Sequence, residues 1–472
     1  MSNEDIEGKS AATNEDKKVF TRKKLRQFFS AGAASIGGFS LGASLGWSSP
    51  ALISMRERKD FGDVSANMET WIASIVAIGA CLASPLAGFC MQRLGRKSSL
   101  VLFSAPYVLG WLLITFANSI AMIMVGRFVT GLCGGVITMT SPIYITEISS
   151  DAVRGTLGSA FMIMIIFGTI CTYGVGAIVS WKWMSLFNAF FPAILLVCLL
   201  FIPESPIFAI MKGRIDEARE TLKWLRKAES DEEIEPELTK MMLQVEASQK
   251  YSKKLRDLFG PDVWKPTAIS MSLVFFSQLS GVQAVLFYAK DIVESTNSGV
   301  NPDVAAVLLG CAVIVASALM DKAGRRILLV GSEIGMAVAF TAIGVFFYLR
   351  EQNDGENPAN LSWLPVAGLI VFIMSFAAGM GPLPRVVLSE IIPLHVKGPA
   401  AAVAFMFNWI WAFAVTKTFN DLIDALNESG FFWFYAAISL VGAVVIYFTV
   451  PETRGKSVEE IQLYFNKKSN IA

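Results

Sequence analysis

Charge is scarce in this chain of 472 residues: Asp, Glu, Lys and Arg make up 17% of it, against roughly 25% in ordinary soluble domains. With 54% hydrophobic residues, that scarcity excludes the run of about three soluble domains that length alone would give. Histidine is nearly missing, His395 being the only one. No nucleophile–base or metal-ligand grouping stands out, and no nucleotide-binding loop is present to drive a pump. The six cysteines (Cys81, Cys90, Cys133, Cys171, Cys198 and Cys311) lie in or beside apolar runs, none in a CxxC spacing. They read as buried free thiols without a disulfide framework. The polar start, Met1 to Gln27, is basic near its end and lacks a signal-peptide pattern, so the first apolar run is expected to stay in place. The chain is therefore not expected to be an enzyme, and no catalytic residue, metal, cofactor or nucleic-acid partner is expected.

What the chain has is apolar length. Runs near 20 residues, about what a helix needs to cross a bilayer, recur at about 31–53, 70–91, 98–117, 120–143, 156–180 and 183–202, then 265–289, 303–320, 327–349, 362–389, 399–423 and 430–450. The expected fold is an all-α membrane protein of twelve transmembrane helices in two pseudo-symmetric six-helix halves. The chain then divides into an N-terminal tail (1–30), a first half (31–203), a linker (204–263), a second half (264–450) and a C-terminal tail (451–472). The linker segments around Ile215–Lys227 and Pro236–Gln249 can be written as amphipathic helices.

Charge placement sets orientation. Arg93, Arg96, Lys97, Arg154, Lys322, Arg325, Arg326 and Lys397 fall on one side with the basic stretch Arg22–Arg26 and with Lys467 and Lys468. That side, with both termini, is expected to be cytoplasmic. The opposite loops carry acids such as Asp291, Glu351 and Asp424. Two N-x-S sequons, at Asn360 and Asn427, also fall there as glycosylation candidates.

The polar residues are duplicated. Glu147 and Arg154, then Gly155, recur as Glu390 and Lys397, then Gly398, both members offset by 243 residues (390 − 147 and 397 − 154). Gly95-Arg96-Lys97 recurs as Gly324-Arg325-Arg326, and Pro203-Glu204-Ser205 as Pro451-Glu452-Thr453. Repeats in register imply a parallel pseudo-two-fold pair around a midplane cavity. Glu147 and Glu390 can meet Arg96, Arg154, Arg325 and Lys397 when the cytoplasmic mouth closes, as weak pairs that must later break. Glu204 and Glu452 belong to the same set. The plainer alternative is solvated loop charge that only enforces topology.

At these residues the chain resembles the sugar porters of the major facilitator superfamily. GRFVTG (126–131), PIYITE (142–147), RG (154–155), PESP (203–206), QLSGVQAVLFY (278–288), DKAGRR (321–326), GMGPLP (379–384), SEIIP (389–393) and PETRGKSVEEI (451–461) carry the likeness in order. NWIWAFAVTKTFNDL (408–422) looks most like the facilitated trehalose transporters of insects. The resemblance implies facilitative transport of a hexose, disaccharide or polyol by alternating access, trehalose or a hexose first, across the plasma membrane by a monomeric unit.

The residues themselves suit such a solute. A sugar is neutral and rich in hydroxyls, so amides that both donate and accept are needed, with rings to cover its apolar faces. Gln278 and Gln283 flank Ser280-Gly281, which can loosen the seventh span; Asn408 and Trp409 offer an amide and a ring in the eleventh. Phe287 and Tyr288 are outer-gate candidates, Phe376 matches a pocket ring of the family, and Pro382 and Pro384 are expected to bend the tenth span. Ordinary helix–helix contacts are the alternative for each.

Several positions depart from the family's pattern. Its fifth-span glutamine is Met162 here, the first seventh-span glutamine is Ser277, the asparagine after SG is Gln283, a polar eighth-span position is Leu309, and a loop acid is Gln92. The tryptophan closing GPxPW is Arg385. An arginine there is expected either to pair with Glu390 or to ligate an anionic substrate, the pairing slightly favoured. The acid that proton-driven relatives carry in the first span is Ser48, and Arg127 lacks that partner, so passive transport is expected. The remaining alternatives are a carrier of another polar or anionic solute using Arg385, and a sensor that keeps the fold without transporting sugar.

Overall fold

The computed structural model describes residues 24–249, 257–258, 260, 263–295, 304, 308, 324–358, 361–393, 396–454 and 460. Eleven stretches among them are helical, long enough and apolar enough to cross a membrane. The eighth expected span, 303–320, lies outside the described residues apart from Val304 and Leu308, as do Leu309 and the Asn360 sequon position. The molecule is an all-α membrane protein of the twelve-helix, two-half kind.

The first half begins with α1 (Leu25–Gly46), which passes through a single turn at Trp47 into α2 (Ser48–Arg58). Then come α3 (Ala66–Arg93), α4 (Arg96–Thr115), α5 (Ile120–Ile148), α6 (Arg154–Gly176) and α7 (Trp181–Leu200). Ser65 and Ser119 start α3 and α5 by accepting hydrogen bonds from Met68 N (3.3 Å) and Met122 N (3.4 Å), satisfying donors that have no partner within the helix. Between the halves, α8 (Pro206–Met211), α9 (Ile215–Arg226) and α10 (Glu235–Gln249) enclose a small core of their own around Ala218, Leu222, Ile234 and Leu238.

The second half contains α11 (Trp264–Leu279), α12 (Val282–Phe287), α13 (Ala289–Ser295), α14 (Arg325–Gln352), α15 (Leu364–Ala378), α16 (Leu383–Ile391), α17 (Lys397–Lys417) and α18 (Phe419–Thr449). Two of its crossings are therefore broken. The seventh is α11 plus α12, parted at Ser280–Gly281, and the tenth is α15 plus α16, parted across Gly379–Pro382. Gly281 takes a left-handed φ of 86°, which L side chains rarely adopt. The face of the bundle carrying α8–α10 is called here the linker side; the opposite face is the far side.

Large apolar residues such as Phe116, Ile178, Ile327 and Phe448 are exposed on the bundle surface, as lipid contact requires. Between helices, small residues permit close approach. At the α3–α5 crossing a Cβ on Gly79 would overlap the Phe128 carbonyl, and one on Gly131 the Val76 carbonyl. A substitution tests this packing. Gly131→Ala should destabilise the protein by about 1–3 kcal/mol, read as a lower apparent Tm in detergent. Gly158→Ala, where nothing lies within 4 Å of the added atom, should leave Tm in place.

Candidate functional site

The two helix breaks face each other. Ser277 Oγ donates to the Met380 carbonyl at 2.9 Å, Ser332 Oγ accepts from Met380 N at 3.1 Å and donates to the Ser375 carbonyl at 2.7 Å. These hydroxyls satisfy backbone groups that the breaks release, a need that is acute where water is excluded. Gln278 Nε2 donates to Asn408 Oδ1 at 2.8 Å, and Gln283 Nε2 to Gln278 Oε1 at 3.1 Å. Gln283 Oε1 and the Trp409 indole N–H are buried and find no partner among the described residues. Leaving such groups unmatched costs about 1–3 kcal/mol each, so one acceptor and one donor stay open here.

Trp409 sits on the seam between the halves, packed with Leu41 of α1 and Ala77 and Ala80 of α3. Met162 is exposed on α6, one turn before Ile165, which packs against that same group. Phe376 is half-buried at the end of α15, its ring against Gly381. Phe287 is fully buried; Tyr288 stacks on Phe419 with centroids 4.0 Å apart and donates to the Thr416 carbonyl at 3.4 Å.

On the linker side the duplicated charges form two matching assemblies. Glu204 accepts from the backbone N–H groups of Arg96 (2.9 Å), Lys97 (2.8 Å) and Ser98 (3.2 Å), capping α4. Glu452 does the same for Arg325 (2.9 Å) and Arg326 (3.2 Å), capping α14. A Cβ at Gly95 or Gly324 would overlap these carboxylates, which explains the glycine that opens each basic motif. Burial pushes the Glu452 carboxyl up, but the N–H groups of Arg454, Arg325, Arg326 and Thr453 outweigh it and hold the group below its ordinary value. Its stabilisation is therefore present at neutral pH and is lost as pH falls through that depressed value.

Around each cap an ion pair closes. Arg96 meets Glu147 at 2.9 Å, and Ser205 Oγ donates to the other Glu147 oxygen. Arg325 meets Glu390 at 3.8 Å, and Thr453 Oγ1 donates to Glu390 at 2.5 Å. Arg154 turns to Asp151 at 2.9 Å, and Lys397 forms no ion pair among the described residues. Each assembly thus lies within one half. Of the cations expected near these carboxylates, Arg96 reaches Glu147 and Arg325 reaches Glu390, while Arg154 and Lys397 reach neither.

Contacts between the halves lie elsewhere, and the sequence reading missed them. Lys417 Nζ, at the far end of α17, donates to Asn67 Oδ1 (2.7 Å) and Thr70 Oγ1 (3.1 Å) of α3 and sits 5.4 Å from the Trp71 ring centroid. Asn420 donates to the Ala66 carbonyl at 3.1 Å, Tyr173 to the Leu286 carbonyl at 2.6 Å, and Lys290 N to Ser49 Oγ at 3.0 Å. Among the described residues only the Ser84 Oγ to Ala402 carbonyl bond (3.0 Å) joins the halves nearer the linker side. Among the described residues, the hydrogen bonds between the halves gather on the far side.

Among the described residues, Arg127, Glu333 and Arg385 are charged residues set within membrane-spanning segments, away from their ends. Arg127 is fully buried, yet its donors reach the Ser44 carbonyl (2.8 Å), Ser48 Oγ (2.7 Å) and the Ile72 carbonyl (3.4 Å), and it lies 4.8 Å from the Trp47 ring centroid. Neutral groups replace the missing acid. Arg385 does not pair with Glu390, contrary to the favoured expectation. Five residues turn a helix by about 140°, and Glu390 is already held by Arg325 and Thr453. Glu333 is buried against Gly442, its oxygens without a partner among the described residues.

The comparisons with known proteins agree with this geometry. Residues 31–465 match the family described as "Sugar (and other) transporter". The facilitated trehalose transporter Tret1 of Polypedilum vanderplanki is 35% identical over 443 residues, covering 92% of this chain and 87% of that protein. Tret1 of Apis mellifera ligustica is 35% identical over 446 residues, covering 93% and 88%. The inward open structure of the xylose transporter XylE from E. coli superposes with a TM-score of 0.76 at 22% identity, covering 93% of this chain and 99% of that one. The last likeness establishes the fold alone.

The far-side latch can be tested by removing its charge. Lys417→Met should weaken the latched state by roughly 1–2 kcal/mol, shifting its population about 5- to 30-fold. Spin-label distances between the far ends of α3 and α18 should gain a longer component, which Lys417→Arg should largely suppress. An unchanged distance distribution in Lys417→Met would remove the latch from the account.

Proposed function

Because the chain belongs to the Sugar (and other) transporter family, we propose that it moves a sugar across the plasma membrane by facilitative alternating access. Trehalose and hexoses are the first substrates to test. The observation that carries this reading is the amide cluster of Gln278, Gln283 and Asn408 beside Trp409. It stands where two broken helices meet the seam between the halves, with an acceptor and a donor unused. Such a site matches hydroxyl groups, which donate and accept at once. Met162, Ser277 and Phe376 belong to its surroundings, Phe287 and Tyr288 to the far-side closure.

In this reading the linker side is cytoplasmic, as its basic loops favour, and both termini lie there. The structure then corresponds to a state closed to the outside. The paired assemblies at Arg96–Glu147 and Arg325–Glu390, with Glu204 and Glu452, keep each half rigid while the halves rock, with Arg154 and Lys397 at the mouth. Transport is passive: Arg127 is satisfied by Ser44, Ser48 and Ile72 and calls for no titrating acid beside it. The unit is a monomer in the bilayer and performs no covalent chemistry. Asn427, exposed at a kink with φ 59°, is the proposed glycosylation position.

Uptake into proteoliposomes tests this reading. Labelled trehalose or glucose should enter saturably, at a rate unchanged by a protonophore or an imposed pH gradient. Gln278→Ala should reduce kcat/KM about 2- to 13-fold, the equivalent of one net hydrogen bond of roughly 0.5–1.5 kcal/mol. Saturable sugar binding without any uptake would replace the transporter by a sensor. Uptake that requires a proton gradient would end the passive mechanism.

A further inference from the structure

The break in the tenth span releases two backbone groups, and one side chain from the ninth span takes both. In a continuous helix the Ser375 carbonyl would accept from Gly379 N, and Met380 N would donate to the Phe376 carbonyl. Here Gly379 N and Gly381 N both donate to the Phe376 carbonyl, at 3.2 and 2.8 Å. Ser332 Oγ of α14 answers both orphans, donating to the Ser375 carbonyl at 2.7 Å and accepting from Met380 N at 3.1 Å. A hydroxyl suits this place because it donates and accepts at one atom. Ser332 is buried, and a Cβ on Gly379 would lie 2.5 Å from the Ser332 Cβ and 2.6 Å from the Leu328 carbonyl. The break therefore rests directly on α14.

Met380 carries the position set by Ser332 towards the site. Its carbonyl accepts from Ser277 Oγ at 2.9 Å. Ser277 lies in the last turn of α11, which stops at Leu279 before the Ser280–Gly281 break, so continuing helix does not hold that turn from beyond. Gln278 is the next residue, joined to Asn408 at 2.8 Å and to Gln283 at 3.1 Å. Two hydrogen bonds and one peptide link thus lead from Ser332 to Gln278. Among the described residues, the bonds of Ser332 itself go to the tenth-span backbone and not to the amide cluster.

We infer that Ser332 is a positioning residue for the solute site: it fixes the backbone at Met380 and, through Ser277, the place of the Gln278 amide. The inference rests on the sugar-transporter reading and adds a determinant of affinity from a span outside the amide cluster. Without the hydroxyl, two buried backbone groups lose their partners where water is scarce. The nearest remedy is for Met380 N to return to the Phe376 carbonyl, as in a regular helix. That movement turns the Met380 carbonyl away from Ser277 and frees the last turn of α11. A small displacement is enough, since a hydrogen bond weakens steeply as its angle closes.

The test is a double-mutant cycle on the full chain with Ser332→Ala, Gln278→Ala and the double variant. Labelled glucose and labelled trehalose are the probes, and the one that the wild type takes up faster is carried through. Binding is measured at equilibrium in detergent and initial uptake in proteoliposomes. Ser332→Ala should raise Kd and KM about 3- to 10-fold, with the maximal rate within about 2-fold of the wild type. In the Gln278→Ala background the same change should raise Kd less than about 2-fold, because effects that act along one path are not additive. Ser332→Cys keeps the shape with a weak donor and acceptor and should fall between; it replaces Ser332→Ala in the cycle should that variant not run as a monodisperse species. Thr341→Ala, whose hydroxyl donates to the Ala337 carbonyl within α14, should leave Kd unchanged. Wild-type binding by Ser332→Ala, or a Kd effect of equal size with and without the Gln278 amide, would overturn the inference and leave sugar transport standing. A monodisperse wild type that neither binds nor moves either sugar would remove both readings.

Discussion

A helix that crosses a bilayer cannot be broken without finding partners for the backbone groups it exposes. That constraint organises this protein. Its two interrupted crossings, at Ser280–Gly281 and Gly379–Pro382, are placed opposite each other and tied through Ser277, Met380, Ser332 and Ser375. Once the breaks are stabilised in this way, the segment after each can turn independently of the segment before it. Side chains at the junction, Gln278 and Gln283 among them, are then held at the centre of the bundle.

The same economy of partners explains the two ends of the molecule. On the linker side, Glu204 and Glu452 each cap a helix start while a second carboxylate, Glu147 or Glu390, holds the arginine that opens the helix. These assemblies make each half stiff. On the far side, α3 and α17 meet through one lysine, two hydrogen-bond acceptors and an aromatic ring. A latch of this kind is polar and partly exposed, and so is cheap to open. Rigid halves joined by a few polar contacts and a small apolar seam at Trp409 suit a rocking motion.

Much of this was legible in the sequence. Apolar length and basic loops located the spans, and the doubled Glu and basic motifs marked two related halves. Ser280-Gly281 and the prolines at 382 and 384 marked the breaks, because glycine and proline act on the backbone locally. The direction of the charge pairs was not legible. Glu147 had Arg96, Arg154, Arg325 and Lys397 as candidate partners, and Arg96 is the one it holds, since three-dimensional neighbours depend on how α4 and α5 pack. Lys417 and Asn67 stand 350 residues apart in segments without any shared motif. Arg127, which lacked an acid in the sequence, is satisfied by two carbonyls and a hydroxyl, and carbonyls are invisible in side-chain patterns. Arg385 stood out as a departure, and its turn of about 140° from Glu390, with Glu390 already held by Arg325 and Thr453, decided against their pairing.

The central claim is that a single site is exposed to one side and then the other without energy input. Counterflow measures this most directly. Proteoliposomes loaded with unlabelled sugar, placed in trace labelled sugar at equal pH and zero membrane potential, should accumulate label transiently above its outside concentration before it decays. A rise that only approaches the outside concentration would point to a pore, and no entry at all would contradict transport.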